Sequence, residues 1–183
     1  NFKQFLISSS AKDSLGNNFL IDANNDDEID QSEALRVFYL KIFPVNIYIK
    51  DLTGIEFFNN IRTLECYTTS LTSLNVSNLT YLNRLQCTQN QLTSLNISGL
   101  KNLQYLNCYS NRLTSLDLRD ATNLNYLKCD VNQLTSLDLS ALTNLNYLDC
   151  SFNILTNLNV EKLINLESLR ILRNNLKNIN ITG

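Results

Sequence analysis

Six oxygen-bearing side chains stand at positions 1, 3, 5, 7, 9 and 12 of the segment Asp22–Glu33: Asp22, Asn24, Asp26, Glu28, Asp30 and Glu33. Hard oxygen donors at that spacing suit one Ca²⁺ ion. An ion held there would take the backbone carbonyl of Glu28 and both oxygens of Glu33. A solvated acidic loop without metal is the plainer reading of the same residues. Five cysteines, Cys66, Cys87, Cys108, Cys129 and Cys150, follow at intervals of 21 residues. The chain has no histidine and no C-x-x-C pair, which speaks against zinc. The missing histidine also removes Ser–His and Cys–His nucleophilic chemistry. Asp130 and Asp149 can approach each other on adjacent strands, as paired carboxylates do in glycoside hydrolysis. An open sheet offers them no water-excluding pocket, and a surface salt network with Lys128 is the favoured reading. With four glycines and no Gly-rich phosphate loop, the chain is read as non-enzymatic.

The elements that carry these residues follow from the period. Two residues before each cysteine stand Leu64, Leu85, Leu106, Leu127 and Leu148, and five before stand Ile61, Leu82, Leu103, Leu124 and Leu145. Leu71, Leu92, Leu113, Leu134 and Leu155 lie five after; Asn90, Asn111, Asn132 and Asn153 lie three after, with Thr69 in the first turn. A further turn continues as Leu166, Leu169, Ile171, Asn174 and Leu176. The L-x-C pair alternates at period two, so both side chains face one side of a short strand. No turn buries its own leucines; stacking identical turns makes a continuous core. The cysteines then serve as small apolar residues and are expected to be free, buried and unreactive. The asparagine amides are expected to satisfy interior backbone groups. Each turn reads L-x-x-L-x-C-x-x-N-x-L-T-S-L, and here the chain resembles the leucine-rich repeat family over roughly residues 61–181. The expected fold is a leucine-rich repeat solenoid, a right-handed β superhelix with one parallel sheet of six or seven strands and an extended or 3₁₀ convex side. A small α-helical cap over residues 1–44 is expected to precede a solenoid over 45–183.

The acidic segment is similar to an EF-hand calcium loop, with Ile29 at the apolar eighth place and Asp27 where glycine usually makes the sharp turn. Asp tolerates positive φ better than most residues. Flanking helices are expected over Phe2–Ile7 and from Ser32 to about Tyr39, with the insertion Ser8–Asn18 between. Such a cap, the Cys-bearing repeats and the joining phrase D-L-T-G-I-E at Asp51–Glu56 resemble the internalin group of bacterial surface proteins. The resemblance implies a secreted or wall-attached chain whose repeats bind a host or extracellular protein or glycan. A structural spacer holding a further domain is the alternative. A monomer is expected.

Strand residues that alternate with Leu and Cys face the concave side. Five of the eight tyrosines fall in those rows, where random placement would put about one. Tyrosine also favours strands, so part of the excess is structural. Tyr67, Arg84, Tyr105, Tyr109, Tyr126, Lys128, Tyr147 and Asp149 are the candidate ligand-binding residues, with Val131 and Phe152 extending an apolar strip at the rim. A net charge of −2, concentrated in the acidic segment, argues against nucleic acid. No apolar run reaches membrane-spanning length. Sequons at Asn75, Asn78, Asn96 and Asn180 arise readily in Asn- and Ser-rich repeats. The chain opens on Asn1, so a leader removed or omitted is expected. Its pattern runs to Ile181 just before Gly183 without a polar cap, so either further chain or a cap that is disordered or removed is expected.

Overall fold

The computed structural model describes residues 2–43 and 49–181. In chain order the elements are α1 (Phe2–Ile7), β1 (Ser10–Lys12), β2 (Asn18–Leu20), α2 (Gln31–Leu35), β3 (Tyr39–Ile42), a 3₁₀ turn (Ile55–Phe57), β4 (Thr63–Cys66), β5 (Ser73–Asn75), β6 (Arg84–Gln86) and β7 (Ser94–Asn96). They continue as β8 (Tyr105–Asn107), β9 (Tyr126–Lys128), β10 (Tyr147–Asp149), β11 (Asn157–Asn159), β12 (Ser168–Arg170) and β13 (Asn178–Asn180). The main sheet runs β12-β10-β9-β8-β6-β4-β3-β1-β2. From β3 to β12 neighbouring strands are parallel.

The constant repeat length sets the register. Leu64, Leu85, Leu106, Leu127, Leu148 and Leu169 pair in sequence across successive strands, so each side chain stacks on its own kind. The first five of these leucines and all five cysteines are 0% exposed, which makes leucine and thiol columns the spine of the core. On the convex side β5 pairs with β7 and β11 with β13, short parallel ribbons separated by tight turns. Those turns repeat one hydrogen bond, Leu82 N–H to Leu79 O, Leu103 to Leu100, Leu124 to Ala121 and Leu145 to Leu142. Residues this rich in Thr, Ser and Asn give extended backbone there, as expected.

Two features bend the chain out of each strand. The second residue after the cysteine slot takes left-handed backbone in every turn: Thr68, Gln89, Ser110, Val131, Phe152 and Arg173 have φ between 53° and 57°. The next residue turns inward, and from Asn90 onward its amide ties its own turn to the preceding one. Asn132 Nδ2 donates to the carbonyls of Cys108, Cys129 and Asp130 at 3.1, 3.1 and 3.3 Å, and its Oδ1 accepts from Leu113 N–H at 3.0 Å. Asn111 and Asn153 repeat this pattern. A second row, Asn102, Asn123, Asn144 and Asn165, donates to carbonyls of the preceding turn on the outer flank; it shares the 21-residue period and was not singled out from the sequence.

The cap departs from a purely helical one. The insertion forms an antiparallel hairpin, with Ser10, Ala11 and Lys12 opposite Leu20, Phe19 and Asn18. Asp13 closes it by accepting the N–H groups of Leu15 and Asn17, and Gly16 supplies φ 83°. Lys12 of β1 pairs with Tyr39 of β3, so the hairpin covers the first edge of the parallel sheet. α2 ends at Leu35 rather than near Tyr39, because Tyr39–Ile42 alternates and joins β4 in register. One parallel strand thus precedes the first cysteine turn. The boundary expected between residues 44 and 45 lies outside the described residues. In the joining phrase, Asp51 accepts Thr53 N–H, and Gly54 at φ 103° opens the 3₁₀ turn.

Candidate functional site

Parallel register brings Arg84, Tyr105, Tyr126 and Tyr147 into one column on the concave face. The rings of Tyr105 and Tyr126 stack with centroids 4.3 Å apart and 8° between planes, and those of Tyr126 and Tyr147 stack at 4.4 Å and 4°. The Arg84 guanidinium caps the column 3.5 Å from the Tyr105 centroid. The ring faces are therefore spent on one another, and the half-buried rings offer edges and hydroxyls outward. Burial first, then the neighbouring Tyr105 and Tyr147, pushes the Tyr126 hydroxyl up to about 12. It stays protonated, and able to donate, across the physiological range. Each ring contact in such a column contributes about 1 kcal/mol beyond burial.

Beside the column lies a charged floor. Lys128 Nζ sits 2.8 Å from Asp130 Oδ1 and donates to Asp149 Oδ2 at 3.2 Å. Tyr109 lies 5.1 Å from the same ammonium, centroid to Nζ. The Asp130 contact is an ion pair without hydrogen-bond alignment, since buried Oδ1 accepts no hydrogen bond. Asp149 Oδ1 accepts Ser151 N–H at 3.1 Å. The carboxylates are 7% and 4% exposed, so the expected surface salt network is instead set into the floor. Laterally packed rows on strands about 4.8 Å apart leave water little access. Burial pushes the Asp130 carboxyl up; Lys128 draws it back and Asp149 adds to the rise. Burial alone would lower the Lys128 ammonium, but its close contacts with the Asp130 and Asp149 carboxylates outweigh that and hold it above an ordinary lysine.

Tyr67 belongs to neither group. Lys41 lies 5.5 Å from its ring centroid, and Tyr39 donates its hydroxyl to Glu65 at 3.2 Å, making a third concave cluster at the cap end. Tyr39 and Lys41 escaped the sequence reading because Ile42 precedes Cys66 by 24 residues rather than 21. The signal was present in the alternation Y-L-K-I. A separate groove on the flank is lined by Leu52, Thr53, Glu56, Ser73 and Asn75, away from all three clusters.

The acidic loop is entered from β2, not from a helix, so an EF-hand's helix pair is not formed. Buried Asp22 accepts Asp26 N–H and Asp27 N–H through its two oxygens, at 3.3 and 3.1 Å. Buried Glu33 accepts Ala23 N–H at 2.7 Å and Asp30 N–H at 3.1 Å, while Asp30 accepts Glu33 N–H, a reciprocal helix cap for α2. Asp27 takes φ 63°, the conformation the glycine place requires. Glu28 turns out to Lys3 at 2.7 Å, and Asn24 donates to Asp26 at 2.9 Å. The donor chemistry suits calcium, but the two buried carboxylates hold backbone N–H groups, and among the described residues no three acidic, cysteine or histidine side chains converge as a metal-holding group.

All five thiols are free and buried. Burial pushes Cys66, Cys108 and Cys150 up to about 12, and Cys87 and Cys129 well above their ordinary value. At pH 8 the native protein is expected to react with an aromatic disulfide reagent about a thousandfold or more slower than the unfolded chain, because reaction waits on opening. A fast phase equal to one thiol would contradict that.

No protein-family model matches the sequence and no curated protein matches it. Solved structures do. An internalin (inlF) from Listeria monocytogenes superposes with a TM-score of 0.71 at 24% identity, over 82% of this chain and 49% of that one. The functional domain of InlJ from the same organism, which includes a cysteine ladder, gives 0.57 at 23%, over 83% and 45%. Internalin C2, also from Listeria monocytogenes, gives 0.59 at 25%, over 84% and 79%. The chain thus spans about half the length of the first two. The shared feature is the stacked parallel solenoid. Among the described residues no helix is long and apolar enough to cross a membrane.

Proposed function

We propose, from the premise that the chain is an internalin-like leucine-rich repeat solenoid, that it is the recognition module of a bacterial extracellular or surface-attached protein and binds a protein partner on its concave face. The observation that carries this reading is the column Arg84–Tyr105–Tyr126–Tyr147. Stacking holds three large side chains in place before any partner arrives, so binding loses little further side-chain entropy. Their outward hydroxyls and edges give donors and apolar area together, and the floor of Lys128, Asp130 and Asp149 adds fixed charges beside them. Recognition needs no catalysis, and the carboxylates are engaged by Lys128 on an open sheet. The test is capture from epithelial and matrix extracts by the immobilised chain, beside a variant with Tyr105, Tyr126 and Tyr147 changed to Ala and checked for folding. A partner held by the wild type is expected to bind the variant at least about tenfold more weakly. Equal capture would defeat the concave reading. Absence of any partner across several extracts would favour the spacer.

Calcium at the cap loop, through Asp22, Asn24, Asp26, Glu28, Asp30 and Glu33, is a second proposal, supported by the oxygen-only donor set and the left-handed turn at Asp27. A metal held by the folded loop alone is expected to stabilise the chain by about 2.7 kcal/mol at a hundredfold excess over its dissociation constant. Melting with millimolar calcium against chelator reads this directly. Identical curves would leave the loop as a cap held by its own hydrogen bonds.

A further inference from the structure

The repeats provide their own comparison at the rim where each strand leaves the concave face. The second and fourth residues after the cysteine are Gln89 and Gln91 in one turn and Ser110 and Arg112 in the next. In the two turns after that they are Val131 and Gln133, then Phe152 and Ile154. Val131, Phe152 and Ile154 are 37%, 47% and 45% exposed. A further turn stacks beyond them, with Phe152 N–H bonded to Leu172 O at 2.7 Å, so this is not the exposure of an uncovered end. Leu172 and the apolar residues after it belong to the last described turn and are left out of the patch.

Val131 and Phe152 carry a second mark. Both sit in left-handed backbone, at φ 54° and 53°. That conformation penalises β-branched and bulky side chains, and burial does not offset the penalty where the side chains are half in water. Polar residues fill the same slot in the other turns without any loss to the core. Strain and exposure therefore coincide at two successive turns, and neither serves the fold. The surrounding charge is positive: Arg173 lies 5.6 Å from the Phe152 ring centroid and Arg170 lies 5.7 Å from that of Tyr147. Neither belongs to an ion pair among the described residues. Asp149, opposite Arg170 in the register of the sheet, and Asp130 are buried and held by Lys128.

We infer that Val131, Phe152, Ile154, Arg170 and Arg173 form a docking rim for a segment of a partner protein that presents an aliphatic or aromatic side chain flanked by carboxylates. The inference rests on the recognition reading of the adjoining concave face and adds the chemistry of the partner. A glycan would leave the aliphatic rim unused, and two arginines are too few for a phosphate backbone. Apolar contact supplies affinity at the centre and the arginines set orientation from its edge.

A random peptide library displayed on phage, selected on the whole chain, tests this. Three variants are compared: Val131→Gln with Phe152→Ser and Ile154→Gln; Arg170→Gln with Arg173→Gln; and the triple tyrosine-to-alanine change. The first installs residue types that other turns already carry in those slots, and it is expected to melt no lower than the wild type. The selected peptides are expected to combine apolar residues with Asp or Glu, to weaken with added salt, and to bind each rim variant about tenfold or more weakly. Basic or purely polar peptides, or equal binding to the rim variants, would overturn the inference. Peptides lost only on the tyrosine change would keep the concave reading and remove the rim; peptides lost only on the rim changes would do the reverse. No enrichment over a blank surface would count against both.

Discussion

Asn132→Ala is expected to destabilise the solenoid by about 3–5 kcal/mol, a large share of what holds a domain of this size. The side chain fills two needs at once. Its Nδ2 serves the carbonyls of Cys108, Cys129 and Asp130, and its Oδ1 serves Leu113 N–H, all within 3.3 Å. Alanine leaves the Cys108 and Cys129 carbonyls and the Leu113 N–H without that partner in a buried turn, while Asp130 O keeps Ser110 N–H, and each unsatisfied group costs about 1–3 kcal/mol. Asn132→Asp is expected to fare no better, since it keeps the acceptor and turns a second oxygen toward three carbonyls. The half-buried Asn174 donates to two carbonyls, Cys150 and Ile171, so Asn174→Ala should cost less. Urea denaturation followed by far-ultraviolet circular dichroism gives the comparison. A loss below about 1 kcal/mol for Asn132→Ala would show that the backbone turn does not depend on the amide.

The first turn supports that account from the chain itself. Thr69 occupies the asparagine place there and cannot reach the carbonyls that asparagine serves. Its own N–H and hydroxyl bond instead to Asn90 Oδ1, at 3.0 and 2.8 Å. The backbone around it takes two left-handed residues, Thr68 and Ser70, where the later turns take one.

What could be read from the residues was what repeats by stacking. Leucine, cysteine and asparagine columns follow from the 21-residue interval, because identical turns must place identical side chains in register. The shared tyrosine row followed from the same rule. That the rings face one another rather than the solvent did not, since it depends on side-chain rotation and not on spacing. The left-handed column was hidden for a different reason. Thr68, Gln89, Ser110, Val131, Phe152 and Arg173 include no glycine or asparagine, so the conformation is imposed by the path of the solenoid rather than by local preference. The hairpin of β1 and β2 and the strand β3 fell outside the repeat. The three-residue strands β1 and β2 have no partner at a fixed interval and carry almost no periodic signal, whereas β3 alternates as Y-L-K-I but stands off the 21-residue period.

Lys128→Met is expected to cost about 2–4 kcal/mol at neutral pH and much less on acidification. The substitution keeps the stem that packs along the floor and removes the one cation between Asp130 and Asp149. Two carboxylates, 7% and 4% exposed, are then left facing each other without a counter-charge. Breaking a buried pair from one side costs about 3–5 kcal/mol; partial water access to the lysine end lowers the figure. The pH dependence follows from the direction of the Asp130 shift. Its carboxyl already lies above the ordinary value of 3.8 in the folded state. A carboxyl raised on folding adds stability that is complete below its unfolded pKa and lost as pH climbs through the folded one. Removing Lys128 raises Asp130 further, so the deficit against the wild type should open as pH rises from 3.8 through that raised value. Differences between the two proteins at each pH cancel the exposed acids of the cap. Adding Asp130→Asn to Lys128→Met removes the titrating charge and is expected to restore more than half of the loss, with the pH dependence gone. A deficit that stays constant with pH, or that the second substitution leaves untouched, would mean that the lysine stem rather than its charge holds the floor together.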